Sequence, residues 1–204
     1  MPAAVWLQPT GDQQQMLRSL IAVLARRHGT AAFEPHLTVC SARDLNPAKI
    51  EAAAGYVPRS RLLPLAVRKT GISYSTTAPF RAVVIEIEST TELNRFRAEL
   101  QQTIDAAEPP SPHISLLYTI DEHGRQPSWW SDAMQLQAIA EECSARLAAT
   151  EFVLDHPIIV APDGQLDEDH NLEGPAEAVN EAAAHFELEG LVGATGIEPV
   201  TPPV

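Results

Sequence analysis

Two histidines, His36 and His113, stand 77 residues apart in matching phrases, "PHLTV" and "PHISL". Each phrase runs proline, histidine, apolar residue, hydroxyl residue, apolar residue. In a β-strand, residues i and i+2 project from the same face. His36 and Thr38 would then share a face, as would His113 and Ser115, while Leu37 and Ile114 point the other way into a core. Two imidazoles that meet suit phosphodiester hydrolysis: one takes a proton from water and the other protonates the leaving oxygen. Imidazole titrates near ~6.5, so both protonation states are accessible close to neutrality. The hydroxyls can donate to the non-bridging phosphate oxygens, where charge must be stabilised. This constellation needs no metal and no cofactor, and the sequence contains no HExxH or HxH pair.

The surrounding pattern must bring the two phrases together. "AAVWL" at 3–7 reads as a strand. A helix follows, with Asp12 and Gln15 as a capping box and Met16, Leu20, Ile21 and Leu24 at helical spacing. A proline-bearing loop then leads to the strand "HLTVC". "NPAKIEAAAG" predicts a short helix with Asn46 as N-cap and Pro47 at its first position. "LLPLAVRKTGISYS" and "FRAVVIEIES" predict two strands with a turn between them. A helix capped by Ser89 and Glu92 follows, then another proline-bearing loop and the strand "HISLLYTI". A helix over roughly 132–149 and a strand "EFVLDHPIIVA" complete the pattern. From Asp12 to His36 is 24 residues, and from Ser89 to His113 is also 24. Each half thus reads strand, capped helix, loop, histidine strand. An approximate two-fold axis between such halves would place two histidines and two hydroxyls around one cleft.

The 204 residues suffice for one domain or two small lobes with an ordinary core. Two cysteines, Cys40 and Cys143, without CxxC spacing, argue against a structural zinc site or a disulfide framework and fit a reducing compartment. No stretch approaches the roughly 18 apolar residues of a membrane span. The N-terminus lacks the basic and apolar regions of a secretory signal. A soluble, cytoplasmic protein is expected. The net charge is −13, but residues 161–204 hold ten acidic and no basic residues, leaving the first 160 near neutral. Residues 1–160 are therefore read as the domain and 161–204 as an acidic, partly disordered extension. No basic stripe marks a long nucleic acid as a partner.

"HLTV" and "HISL" together resemble the defining HΦ[ST]Φ motifs of the two-histidine (2H) phosphoesterases. "FEPHLTV", "PHISLLY" and the opening "AVWLQP" resemble the plant and yeast type of cyclic phosphodiesterase. The resemblance runs from about Ala3 to Val160. It implies an α+β fold of two lobes, duplicated strand–helix–strand modules with small antiparallel sheets around a central cleft. It also implies metal-free hydrolysis of ADP-ribose 1″,2″-cyclic phosphate or nucleoside 2′,3′-cyclic phosphates. Carried onto this chain, His113 is the general base and His36 the general acid. Thr38 and Ser115 hold the phosphate, and Tyr118, which matches the tyrosine of the family's "SLLY", positions water or phosphate with them.

Trp6, Tyr74 and Phe80 are candidate stacking partners for a nucleobase, Trp6 foremost. Arg81 is weighed as a phosphate contact against a solvated charge. His28, His123, His156, His170 and His185 have no partner phrase and are read as surface or loop residues. Cys40 reaches the cleft only if strand alternation continues from Thr38. The expected partner is a small cyclic-phosphate nucleotide, with no membrane and a monomeric state. Two other readings stay open: a 2′,3′-cyclic phosphodiesterase or 2′–5′ ligase acting on RNA ends, and a non-catalytic nucleotide- or RNA-binding protein on the same scaffold.

Overall fold

The computed structural model describes residues 3–42, 47–56, 60–104, 106, 111–160, 165–166 and 172–173. Strand β1 (Ala3–Pro9) leads into helix α1 (Gly11–His28), and β2 (Leu37–Ala42) is followed by α2 (Pro47–Tyr56) and β3 (Leu65–Tyr74). After a 3₁₀ turn at Pro79–Arg81 come β4 (Val83–Ile87), α3 (Thr91–Ile104), β5 (His113–Leu117), α4 (Ala133–Arg146) and β6 (Glu151–Val160). Two short strands, β7 (Gln165–Leu166) and β8 (Leu172–Glu173), pair with each other. The rest of the acidic extension, with His170 and His185, lies outside the described residues, as does Asn46.

Strands β1 to β6 form a closed antiparallel ring in the order β1–β2–β5–β4–β3–β6. Exchanging β1 with β4, β2 with β5 and β3 with β6 reproduces that order. The duplicated unit is therefore strand–helix–strand–helix–strand, longer than the strand–helix–strand unit expected from the sequence. The third strand of each unit is exchanged: β3 pairs with β4 of the second unit, and β6 with β1 of the first. The fold is α+β, with two three-stranded halves meeting at two seams, where Leu37 of β2 faces Ile114 of β5 and where β3 pairs with β6 from Leu65–Leu154 to Arg68–Glu151.

The helices cover the outer face of the ring. Leu17, Ile21 and Leu24 of α1 and Leu93, Phe96 and Leu100 of α3 share one core with Val5, Leu7, Leu37, Ile85 and Ile114. Burying apolar side chains of this size stabilises by about 1.5–3 kcal/mol each, which is what holds helices to strands. Each helix also crosses to the other unit, α1 touching β5 and α3 touching β2.

Both helix starts differ from the expected capping boxes. Thr10 occupies the N-cap of α1 without a side-chain cap bond, and Asp12 lies within the first turn. Gly11, at φ 55°, takes the turn into the helix at a conformation that favours glycine. The side chain of Gln13 is drawn off to β6, donating to Glu151 O and accepting from Val153 N. At α3, Thr90 Oγ1 rather than Ser89 accepts from the backbone, at Leu93 N. The equal 24-residue spacings therefore fail, and the repeat rests on strand order instead. Asp132 caps α4 as a short acceptor side chain should, taking bonds from Met134 N and Gln135 N. Gly29 ends α1 at φ 65°, its N–H bonded to Ala25 O.

A bulge occurs at the same place in both units. Val5 pairs with Cys40 and Trp6 with Thr38, leaving Val39 as the extra residue. Val83 pairs with Leu117 and Val84 with Ser115, leaving Leu116 as the extra residue. Each extra residue lies three positions beyond a motif histidine. A bulge shifts the strand's alternation by one step. Cys40 thus shares the face of Val5 and is fully buried, so the continued alternation that would have put it in the cleft is absent. Buried Arg97 of α3 donates from Nε to Val39 O at 3.3 Å, so the second unit's helix holds the first unit's bulge.

Candidate active site

The inner face carries Trp6 and Thr38 from one half and Val84 and Ser115 from the other, by the cross-strand pairing above. His36 directly precedes β2, and His113 opens β5 opposite Glu86. At the antiparallel junction the residue after each histidine pairs with the other, Leu37 with Ile114, so the two histidine positions lie diagonally across that pair, one on each side of it.

Both imidazoles are held alike. His36 Nδ1 lies 2.7 Å from Glu34 O, and His113 Nδ1 lies 2.8 Å from Ser111 O. Each acceptor is the carbonyl two residues upstream. A carbonyl only accepts, so each Nδ1 carries the proton, and in the neutral ring Nε2 is left as the basic nitrogen. One nitrogen of each ring thus orients it while the other is free for proton transfer.

The two histidines differ in environment. His36 is 6% exposed, and burial pushes its pKa down to about 4. The bond to Glu34 O opposes that shift, and charge on His113 adds to it. His113 is half-buried. Its pKa is also lowered, first by burial and further by the guanidinium charges of Arg81 and Arg97, against the opposing bond to Ser111 O. Both rings are therefore biased toward the neutral, basic form in the ligand-free state.

The hydroxyls are not equivalent. Thr38 is half-buried, and its hydroxyl has no hydrogen-bond partner among the described residues. Ser115 is 4% exposed and donates to Phe80 O at 3.0 Å. Tyr118 is hydrogen-bonded to Ser115, and its pKa is raised, with burial the main cause. Its ring stacks on Phe33 with centroids 3.6 Å apart. Tyr118 thus supports Ser115 within an aromatic wall.

Of the candidate stacking residues, Trp6 lies flat on His36, with centroids 3.6 Å apart and planes 9° from parallel. Phe80 meets Tyr118 edge-on at 5.4 Å. Tyr74 is the most open of the three, at 38% exposure. Arg81 lines a pocket of about 300 Å³ beside His113. His123 is exposed in a turn, and His156 is exposed on β6. His28 departs from the surface reading. Its ring meets Trp129 edge-on at 5.5 Å, its Nε2 is buried with no partner among the described residues, and burial leads the lowering of its pKa. Sequence reasoning missed Arg97 and Phe33. A cation on a helix face and an aromatic in a loop carry no local mark of the strand or ring they will support.

No protein-family model matches this chain, and no curated protein matches it in sequence. Its fold is nevertheless shared with solved structures. A crystal structure of a phosphoesterase is similar at TM-score 0.50 and 14% identity, covering 82% of this chain and 90% of that one. LigT of E. coli, in a crystal structure with phosphate, is similar at TM-score 0.46 and 14% identity, with 77% and 84% covered. Usb1 of Kluyveromyces marxianus is similar at TM-score 0.43 and 11% identity, with 78% and 92% covered. Only the first superposes closely enough to bear on the fold. The chain shares the fold of that phosphoesterase, an α+β arrangement of antiparallel strands and helices. Among the described residues, no helix is long and apolar enough to cross a membrane.

Proposed function

We propose that this protein is a metal-independent cyclic phosphodiesterase that hydrolyses small 2′,3′-cyclic nucleotides or ADP-ribose 1″,2″-cyclic phosphate. The observation that carries this reading is the matched pair of imidazoles. Each has Nδ1 tied to the carbonyl two residues upstream, and they stand at the entry to two strands joined at the ring's junction.

In this mechanism neutral His113 takes a proton from water through Nε2 as the water oxygen attacks phosphorus. Protonated His36 gives its Nε2 proton to the departing ribose oxygen. Thr38 donates to a non-bridging oxygen. Ser115 does the same by turning its hydroxyl from Phe80 O. The half-buried His113 next to cationic Arg81 suits the base, because both burial and that charge favour its neutral form. His36 is uncharged in the free protein. A bound phosphate anion raises its pKa, so the acid is armed only when substrate is present. The near-neutral charge of residues 1–160 supports a small substrate over a long RNA. The same reading has the protein acting as a monomer in the cytoplasm, in keeping with two buried free thiols.

The test is an assay of 2′,3′-cyclic nucleotides, ADP-ribose 1″,2″-cyclic phosphate and a short RNA with a cyclic end, all in EDTA. Turnover of the small substrates in EDTA is expected. His36→Ala and His113→Ala should each lower kcat by at least about 10²-fold. Full loss of turnover in EDTA, or either variant retaining full activity, would overturn the reading.

A further inference from the structure

The pocket beside His113 holds charged groups to which the acid–base scheme assigns no contact with substrate. It is lined by Thr70, Arg81, Glu86, Ser89, Ser111 and His113. Arg81 is half-buried, and its Nε is shielded from water with no acceptor among the described residues. A buried donor without an acceptor costs about 1–3 kcal/mol, and native chains leave few of them. Glu86 lines the same pocket, yet it forms no ion pair with Arg81 among the described residues. A guanidinium and a carboxylate kept apart across a hydroxyl-lined pocket complement a ligand that brings both an anion and hydroxyl donors.

The two-fold exchange of strands sharpens this. It matches Val84 with Trp6, so Arg81 corresponds to Ala3. The matching position in the first unit carries no cation, so among the described residues the guanidinium stands on the His113 side alone. A substrate whose remainder is anionic would enter this near-symmetric site in one orientation.

From Arg81 and this pocket we infer a second phosphate subsite, selecting cyclic phosphates whose nucleoside carries another phosphate. Arg81 receives that phosphate, and Glu86 accepts from a sugar hydroxyl. This rests on the phosphodiesterase reading for the position of the reacting phosphate. The lowered pKa of His113, to which the Arg81 charge contributes, agrees with their closeness.

Two measurements test it. The first compares kcat/KM for adenosine 2′,3′-cyclic phosphate with and without a 5′-phosphate. The phosphorylated form should be preferred by about tenfold or more, the effect expected of a charge-assisted hydrogen bond. Arg81→Ala should bring the ratio close to one, and Arg81→Lys should keep part of it. The second is calorimetric binding of adenosine 3′,5′-bisphosphate against adenosine 3′-monophosphate. The bisphosphate should bind about tenfold tighter to the native protein but not to Arg81→Ala, with matching melting curves as the folding control. Equal binding of the two ligands, no binding of either, or a preference that survives in Arg81→Ala overturns the subsite. Absent hydrolysis with an intact binding preference would sink the phosphodiesterase reading and leave the subsite standing. Hydrolysis without preference would do the reverse.

Discussion

Trp6 lies face to face with His36, their ring centroids 3.6 Å apart. The residue favoured from sequence as a platform for a nucleobase instead covers the proposed general acid. The bulge makes this contact by pairing Trp6 with Thr38. An indole face also favours the imidazolium form that the acid must reach.

Trp6→Leu is therefore expected to lower kcat by about tenfold and to change KM little, the size of an aromatic pair's contribution. Trp6→Phe should recover most of the loss. Steady-state kinetics on a cyclic nucleotide separates the outcomes. A large rise in KM at constant kcat would mean that Trp6 serves the base after all.

The two motif hydroxyls should behave differently. Thr38→Ala removes a group with no internal partner and is expected to cost roughly 10–10³-fold in kcat with an unchanged melting temperature. Ser115→Ala should lower activity and also stability by about 1–3 kcal/mol, because Phe80 O loses its donor and Tyr118 its partner. Thermal melts of both variants check the contrast. Equal stability losses would contradict it.

Both histidines have lowered pKa values in the free protein. The limbs of the kcat/KM profile should accordingly lie below the ordinary histidine value of ~6.5. Bound phosphate raises His36, so the falling limb of kcat should move to higher pH than that of kcat/KM. Rate profiles between about pH 4 and 9 decide this, and a kcat/KM optimum above about pH 7.5 would rule out the environments described.

The same burial couples His36 to stability. Its pKa in the folded state is about 4, against the ordinary histidine value of ~6.5. Between those values the unfolded chain binds a proton that the native one does not, so stability falls as pH drops through that window and levels off below it. The loss attributable to His36 is up to about 3 kcal/mol. Denaturant melts of the native protein and His36→Asn at several pH values should show a shallower slope for the variant across about pH 4–6.5. Parallel slopes would refute the coupling.

Part of the candidate site was legible in the chain itself. The alternation of HΦ[ST]Φ put His36 with Thr38 and His113 with Ser115, because strand geometry links residues two apart regardless of context. The periodic run of α3 was legible for the same local reason, and that of α1 in part: Ile21 and Leu24 are buried as expected, but Met16 is exposed and Leu17 takes the buried place. The helix caps were misread because capping chemistry is shared by several neighbouring residues. Tertiary partners chose among them: β6 took Gln13, and Thr90 reached Leu93 N ahead of Ser89.

Other features depended on the closed ring. The exchange of β3 and β6 between the units, the twin bulges that turn Cys40 away, and the stacking of Trp6 on His36 all join residues far apart in sequence. So do the hold of Arg97 on Val39 O and the isolation of Arg81 beside His113. A sequence states which side chains are present and which local face they share. Which distant groups are desolvated together, and so how far each imidazole is held neutral, is decided only when the strands close around one another.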